Sequence, residues 1–208
     1  MNKNFCPGCD TSYNTPECAI RLIPINAYLE DIITNKSLKL QEVLICHKNA
    51  QEIKKNKMKI LPNCDDCALC LLSCPYINLQ HKDELLNFNL EEVIFKDLDK
   101  ACILFQRLFP EYQVASEVHV NGNFRTKRVD VVIKNGSSIY LIKLLKNADK
   151  FLFYRRSYKE VINQYSIQYS NFTWKSYCLV PSSLKVQKNQ DAEEILDINI
   201  LNKIIGGK

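Results

Sequence analysis

Between residues 83 and 181 the apolar positions recur with a regular period. In DELLNFNLEEVIFKDLDKACILFQRLFP, the residues Leu90, Val93, Ile94, Leu98, Ala101, Leu104, Phe105 and Leu108 fall on one stripe, which predicts a helix. Asn89 is its expected cap, Glu91 and Glu92 stand in its first turn, and Pro110 closes it. Three strand-like runs follow: YQVASEVHV (112–120), RVDVVI (128–133) and SSIYLIKLL (137–145). The intervening NGN and KNGS both carry Asn-Gly, a hairpin signal. YRRSYKEVINQYSIQY (154–169) has helical spacing, and WKSYCLVP (174–181) predicts one more strand. AEEILDINILNKIIG (192–206) predicts a last helix, ended by Gly206 and Gly207. Helix, three-stranded meander, helix, strand is an α/β pattern with a mixed sheet.

Upstream the pattern changes. INAYLEDIITN (25–35) repeats apolar residues at helical spacing, whereas KNAQEIKKNKMK (48–59) is a lysine-rich surface segment expected to be partly helical. Cysteine marks the same division: eight of the ten cysteines lie within residues 1–74. The chain of 208 residues is therefore expected to hold two units, 1–82 and 83–208. No run of about eighteen apolar residues exists and the N-terminus has no apolar signal segment, so a cytoplasmic protein without a membrane partner is expected. In a reducing compartment clustered cysteines point to metal ligation rather than to disulfides. Cys102 and Cys178 sit in apolar runs and are expected to be small buried hydrophobes. His81 and His119 have no neighbours at ligand spacing and receive no role.

Cys64, Cys67, Cys70, Cys74 and Pro75 spell C-x2-C-x2-C-x3-C-P. This run resembles that of bacterial-type ferredoxins, in which three cysteines hold one 4Fe-4S cluster and the fourth reaches another. Cys6, Cys9 and Cys18 resemble the partner half of that pattern, except that Leu22 stands where its fourth cysteine belongs. Cys46 is the nearby thiolate left to complete a set, with His47 a weaker substitute; otherwise Cys46 is a free buried cysteine. Two assignments stay open. Either Cys6, Cys9, Cys18 and Cys74 hold one cluster and Cys46, Cys64, Cys67 and Cys70 another, or Cys64, Cys67, Cys70 and Cys74 hold one cluster while Cys6, Cys9, Cys18 and Cys46 bind zinc or a second cluster.

The second unit resembles the PD-(D/E)XK restriction-endonuclease-like superfamily. The likeness lies in the order of an acid-bearing helix start, the strand EVHV, the strand RVDVVI with an embedded acid, the strand YLIKLLK, and a helix carrying Gln164, Gln168 and Tyr169. The fold so implied is a small ferredoxin-like iron–sulfur module followed by a restriction-endonuclease-like α/β core. The family's chemistry is Mg²⁺-dependent phosphodiester cleavage, in which carboxylates hold the metal and a lysine helps activate water. Asp130 matches the acid of the second strand. Lys143 stands where the third strand should carry its acid, and no register restores one. Glu117, Glu92 or Asp149 would have to supply the missing ligand. Without one, Asp130 is a structural partner of Arg128 or Lys143.

Residues 121–160 hold ten Lys/Arg against three Asp/Glu, a local net of +7. That imbalance suggests a polyanionic partner. Arg125, Lys127 and Arg128 flank the acid-bearing strand, and Arg155, Arg156 and Lys159 open the next helix with Tyr154 and Tyr158 between them. Such residues suit phosphate contact and base stacking, so DNA is the expected partner. The alternatives are an electron-transfer or redox-sensing subunit, and an inactive subunit that positions a partner nuclease.

Overall fold

The computed structural model describes residues 20–46, 48–54, 57–64, 95–109, 111–121, 127–147, 150–181 and 195–196. Its elements are β1 (Ile20–Pro24), α1 (Leu29–Ile33), β2 (Leu40–Leu44), β3 (Gln51–Lys54), β4 (Lys57–Ile60), α2 (Leu98–Leu108), β5 (Gln113–Val120), β6 (Lys127–Asn135), β7 (Ser138–Leu144), α3 (Phe151–Gln168), β8 (Thr173–Leu179) and β9 (Ile195–Leu196). The architecture is mixed α/β. One mixed sheet runs β5-β6-β7-β8, with the two-residue β9 at its edge, and β1–β2 and β3–β4 form two small antiparallel pairs.

The β5–β6–β7 meander is antiparallel, and α3 carries the chain across to β8, which lies parallel to β7. Asn135 pairs with Ser138, so the β6–β7 loop is two residues long, and Gly136 takes the left-handed φ of 54° that such a tight loop needs. Alternation along the strands sends side chains to two apolar layers. Val131, Ile133, Tyr140 and Ile142 meet α2 and the β1–β2 pair on one face. Val132, Ile139 and Leu141 meet α1 and α3 on the other.

Residues of the expected first unit share apolar clusters with residues of the second. Ile23, Ile25, Val43 and Ile45 pack with Phe105 and Val131, and Leu29, Ile32 and Ile33 pack with Val118 and Val129. Two buried lysines fasten this segment. Lys134 Nζ donates to the carbonyls of Ile32 (2.9 Å) and Ile33 (3.0 Å) and to Asn35 Oδ1 (2.5 Å), satisfying carbonyls at the end of α1. Lys100 Nζ donates to the Leu44 carbonyl. Residues 25–28 also run alongside β5, bridging Ile25 to Ser116 and Tyr28 to His119, which covers that sheet edge.

Several expectations change. The predicted helix does not run unbroken from Asn89: Asp97 is extended (φ −137°, ψ 109°), and its Oδ1 caps α2 by accepting from the amides of Asp99 (3.0 Å) and Lys100 (3.2 Å). Asn89, Glu91 and Glu92 lie outside the described residues. The lysine-rich stretch 48–59 belongs to the β3–β4 hairpin instead of a helix; Lys57-Met58-Lys59-Ile60 alternates with period two. Within the expected final helix, Ile195 and Leu196 are strand, paired with Cys178 and Leu179. Cys102 and Cys178 are buried as expected.

Candidate functional site

The alternation of β5 and β6 breaks at one level. Val114 and Val131 face the first layer, yet Val118 and Val129 face the second. Glu117 and Asp130 lie between the pairs Ser116–Val131 and Val118–Val129. Glu117 has φ 52°, a left-handed conformation that costs a non-glycine residue about 1–3 kcal/mol. This irregularity turns the strands by one face and marks the level at which the acid-bearing strand carries Asp130.

At the same level β6 and β7 stop pairing. Their ladder runs from Asn135–Ser138 to Val131–Ile142; Asp130 and Lys143 are the next residues in that register. Instead of a backbone pair, the Asp130 side chain bridges the two strands. Its Oδ1 lies 2.7 Å from Lys143 Nζ, and its Oδ2 accepts from the Leu144 amide at 3.0 Å. The Asp130 amide donates to the Tyr158 hydroxyl at 3.3 Å, and that hydroxyl donates to the Ile142 carbonyl at 3.5 Å. Burial pushes the Tyr158 phenol well above its ordinary pKa, and the Asp130 charge adds to the shift. Lys143 Nζ also sits 4.3 Å from the centroid of the Tyr154 ring, within cation–π range. Asp130 is 5% exposed, so both carboxylate oxygens are engaged inside the fold.

Comparison with protein-family models, with curated proteins and with solved structures gives no match.

The other candidates scatter. Glu117 Oε1 pairs with Arg128 Nη2 at 2.5 Å. The alternative pairing of Asp130 with Arg128 is therefore not formed. Glu92, Asp149 and Arg125 lie outside the described residues. Lys127 pairs with Glu160. Along α3, Arg156 and Lys159 are exposed and Arg155 is half-buried. Together with Leu152, Glu160 and Asn163 they line a shallow, open depression. Tyr158 cannot stack on a base as expected, since it is buried beneath Asp130. Phe153, beside Tyr154, is 63% exposed. Gln164 donates to the Asn121 carbonyl (2.8 Å), and Tyr169 stacks on Tyr165 (6.0 Å).

One group had no signal in the sequence. Glu30 of α1 accepts from the Tyr165 hydroxyl and from Asn121 Nδ2 (3.2 Å), joining α1, the end of β5 and α3. Burial, then the Glu30 carboxylate, push the Tyr165 phenol up. A glutamate in a five-residue helix 135 positions away cannot be matched to Tyr165 from spacing alone.

Of the eight candidate metal-ligating cysteines, Cys46 and Cys64 lie within the described residues, and Cys6, Cys9, Cys18, Cys67, Cys70 and Cys74 lie outside them. Among the described residues no three His, Cys, Asp or Glu side chains gather as a metal site, and no helix is long and apolar enough to cross a membrane.

Proposed function

We propose that this chain is an iron–sulfur protein whose PD-(D/E)XK-like unit binds nucleic acid without cutting it. Support comes first from Asp130. A catalytic Mg²⁺ needs open carboxylate oxygens, and a cation already occupies that position: Lys143 Nζ at 2.7 Å, with the Leu144 amide on the second oxygen. Lysine at the place of the family's acid thus removes a ligand and supplies the charge the metal would have brought. Glu117, the nearest substitute on β5, is held by Arg128.

Binding has its own support. Leu152 and Phe153 are 66% and 63% exposed at the start of α3, next to Arg156 and Lys159. Exposed cations beside an exposed aromatic suit a single-stranded or distorted nucleic acid, where phosphates meet the cations and a base meets the ring. The thiolate clusters would hold the N-terminal segments together, since ligation supplies folding energy. Cys64, Cys67, Cys70 and Cys74, with Cys6, Cys9, Cys18 and Cys46, are the residues for that role, with zinc the alternative metal for the first group.

The deciding experiment uses anaerobically purified protein and labelled single-stranded, duplex and branched DNA. Retention of DNA at low salt with no cleavage in Mg²⁺ or Mn²⁺ is the expected result. Cleavage abolished by Asp130→Asn would replace it with an active nuclease. Absence of binding to every substrate would move the assignment to a redox subunit.

A further inference from the structure

We infer that Cys46 and Cys64 are ligands of one metal centre, at the open end of the β3–β4 hairpin; this rests on the iron–sulfur reading above and decides which thiolates share a centre. The hairpin register pairs Gln51 with Ile60 and Lys54 with Lys57. The pairing continues outward: the Leu61 amide donates to the Ala50 carbonyl at 2.9 Å, and Asn63 Nδ2 donates to the Lys48 carbonyl at 2.9 Å. Both chains then turn. The Asn49 amide donates to the Cys46 carbonyl (3.2 Å), and the Cys64 amide donates to the Leu61 carbonyl (3.1 Å). Each cysteine therefore occupies the outer end of a tight turn, and the two turns face each other across one hairpin.

The first turn is also built around sulfur. Asn49 adopts φ 51°, a left-handed conformation that asparagine tolerates better than most residues. The chain then reverses so that the Ala50 amide donates to Cys46 Sγ at 3.2 Å. A backbone N–H aimed at sulfur orients a metal-bound thiolate and offsets its charge. Two thiolates on neighbouring turns at one hairpin end would supply two of the four ligands of a soft-metal centre, and C-x2-C spacing after Cys64 offers further thiolates. Of the two assignments left open by spacing, this geometry favours the one that places Cys46 with Cys64 and leaves Cys74 to the set of Cys6, Cys9 and Cys18.

The test compares wild type, Cys46→Ser, Cys64→Ser, the double variant and Cys18→Ser, all prepared without air. Iron, sulfide and zinc are assayed on each, so that cluster and zinc are told apart. Cys46→Ser and Cys64→Ser should each lose the same part of the metal, about half if two centres are present. The double variant should lose no more than either, and Cys18→Ser should spare that part. Loss by Cys46→Ser of the same part as Cys18→Ser, or full retention, overturns the inference while leaving the iron–sulfur reading intact. A wild type without iron, sulfide or zinc defeats both. If the serine variants do not fold, alkylation of wild-type thiols during stepwise chelation gives the answer by mass spectrometry. Cys46 should become reactive together with Cys64; reactivity together with Cys18 overturns the inference.

Discussion

Lys143 Nζ lies 2.7 Å from Asp130 Oδ1 across the point where β6 and β7 cease to pair. The pair is nearly dry, with side chains 15% and 7% exposed. Removing one member of such a pair leaves an uncompensated buried charge. Lys143→Met should therefore destabilise the protein by about 3–5 kcal/mol in urea unfolding. The double change Asp130→Asn with Lys143→Met should recover part of that loss, because neither charge then remains. A single-variant loss within the ordinary surface range of about 0.5 kcal/mol would show that the pair is not formed in solution.

The C-terminal elements were legible because their signals are local. The stripe of Ala101, Leu104 and Phe105, the Asn-Gly of the β6–β7 loop, and the alternation of RVDVVI each need only neighbouring residues. The Asp130–Lys143 pairing was legible as one of two partners, since strand order alone brings both lysine and arginine near. What stayed hidden depends on distant residues. Ile23 and Ile45 read as parts of a cysteine-rich unit, yet they fill the core beside Phe105. Lys134 counts among the ten basic residues of 121–160, yet its ammonium caps the end of α1. The face switch at Glu117 appears nowhere in the residue pattern, because no glycine announces its positive φ.

That shared core makes the division of the chain testable. A chain beginning at residue 83 lacks Ile23, Leu29, Ile32 and Ile45, all of which are 0% exposed in the full fold. It also leaves Lys134 with no carbonyl of α1 to bind. Such a chain should lose cooperative unfolding and bind a hydrophobic dye, as expanded states do. A sharp, cooperative melt close to that of the full chain would show that residues 83–208 fold alone.

Alkaline stability follows from the tyrosines. Burial raises the pKa of Tyr158, Tyr165 and Tyr177 above that of an exposed phenol. A group whose folded pKa is raised contributes stability that is complete below its unfolded value and lost as pH climbs through the folded value. Unfolding should therefore become easier above about pH 10. Cys102, raised by burial, adds in the same sense. Lys134, lowered by burial, opposes it, but only below its unfolded value of about 10.4. Tyr158→Phe should flatten the fall in melting temperature above pH 10; an unchanged slope would show that this phenol titrates as if exposed.

Nucleic-acid binding should divide into two separable parts. Arg156→Ala with Lys159→Ala removes two exposed cations from α3, so affinity should fall for all sequences and the salt slope should flatten by up to about two units. Phe153→Ala leaves the charge unchanged. It should weaken single-stranded DNA by about 1–3 kcal/mol, barely affect duplex, and leave the salt slope alone. Equal loss on single strands and duplex would argue that Phe153 acts by packing against Tyr154 rather than by stacking on a base.

The last prediction turns on replacing the cation at Asp130. Lys143→Glu puts an acid at the position the nuclease-like family uses, and it removes the ammonium that now neutralises Asp130. Two carboxylates at the β6–β7 fork repel, and the Leu144 amide alone cannot offset both charges. The melting temperature should drop without added metal. A divalent cation with hard oxygen preference should then recover part of it, because it binds the folded fork and not the unfolded chain. Wild type should show no such Mg²⁺-dependent gain, its cation site being filled by lysine. Calorimetric titration of Lys143→Glu with Mg²⁺, set beside the double variant Lys143→Glu with Asp130→Asn, separates site binding from general charge screening: only the first should bind. If both variants, or the wild type, take up Mg²⁺ equally, Lys143 is not standing in for a metal, and the decayed-nuclease interpretation of Asp130 falls with it.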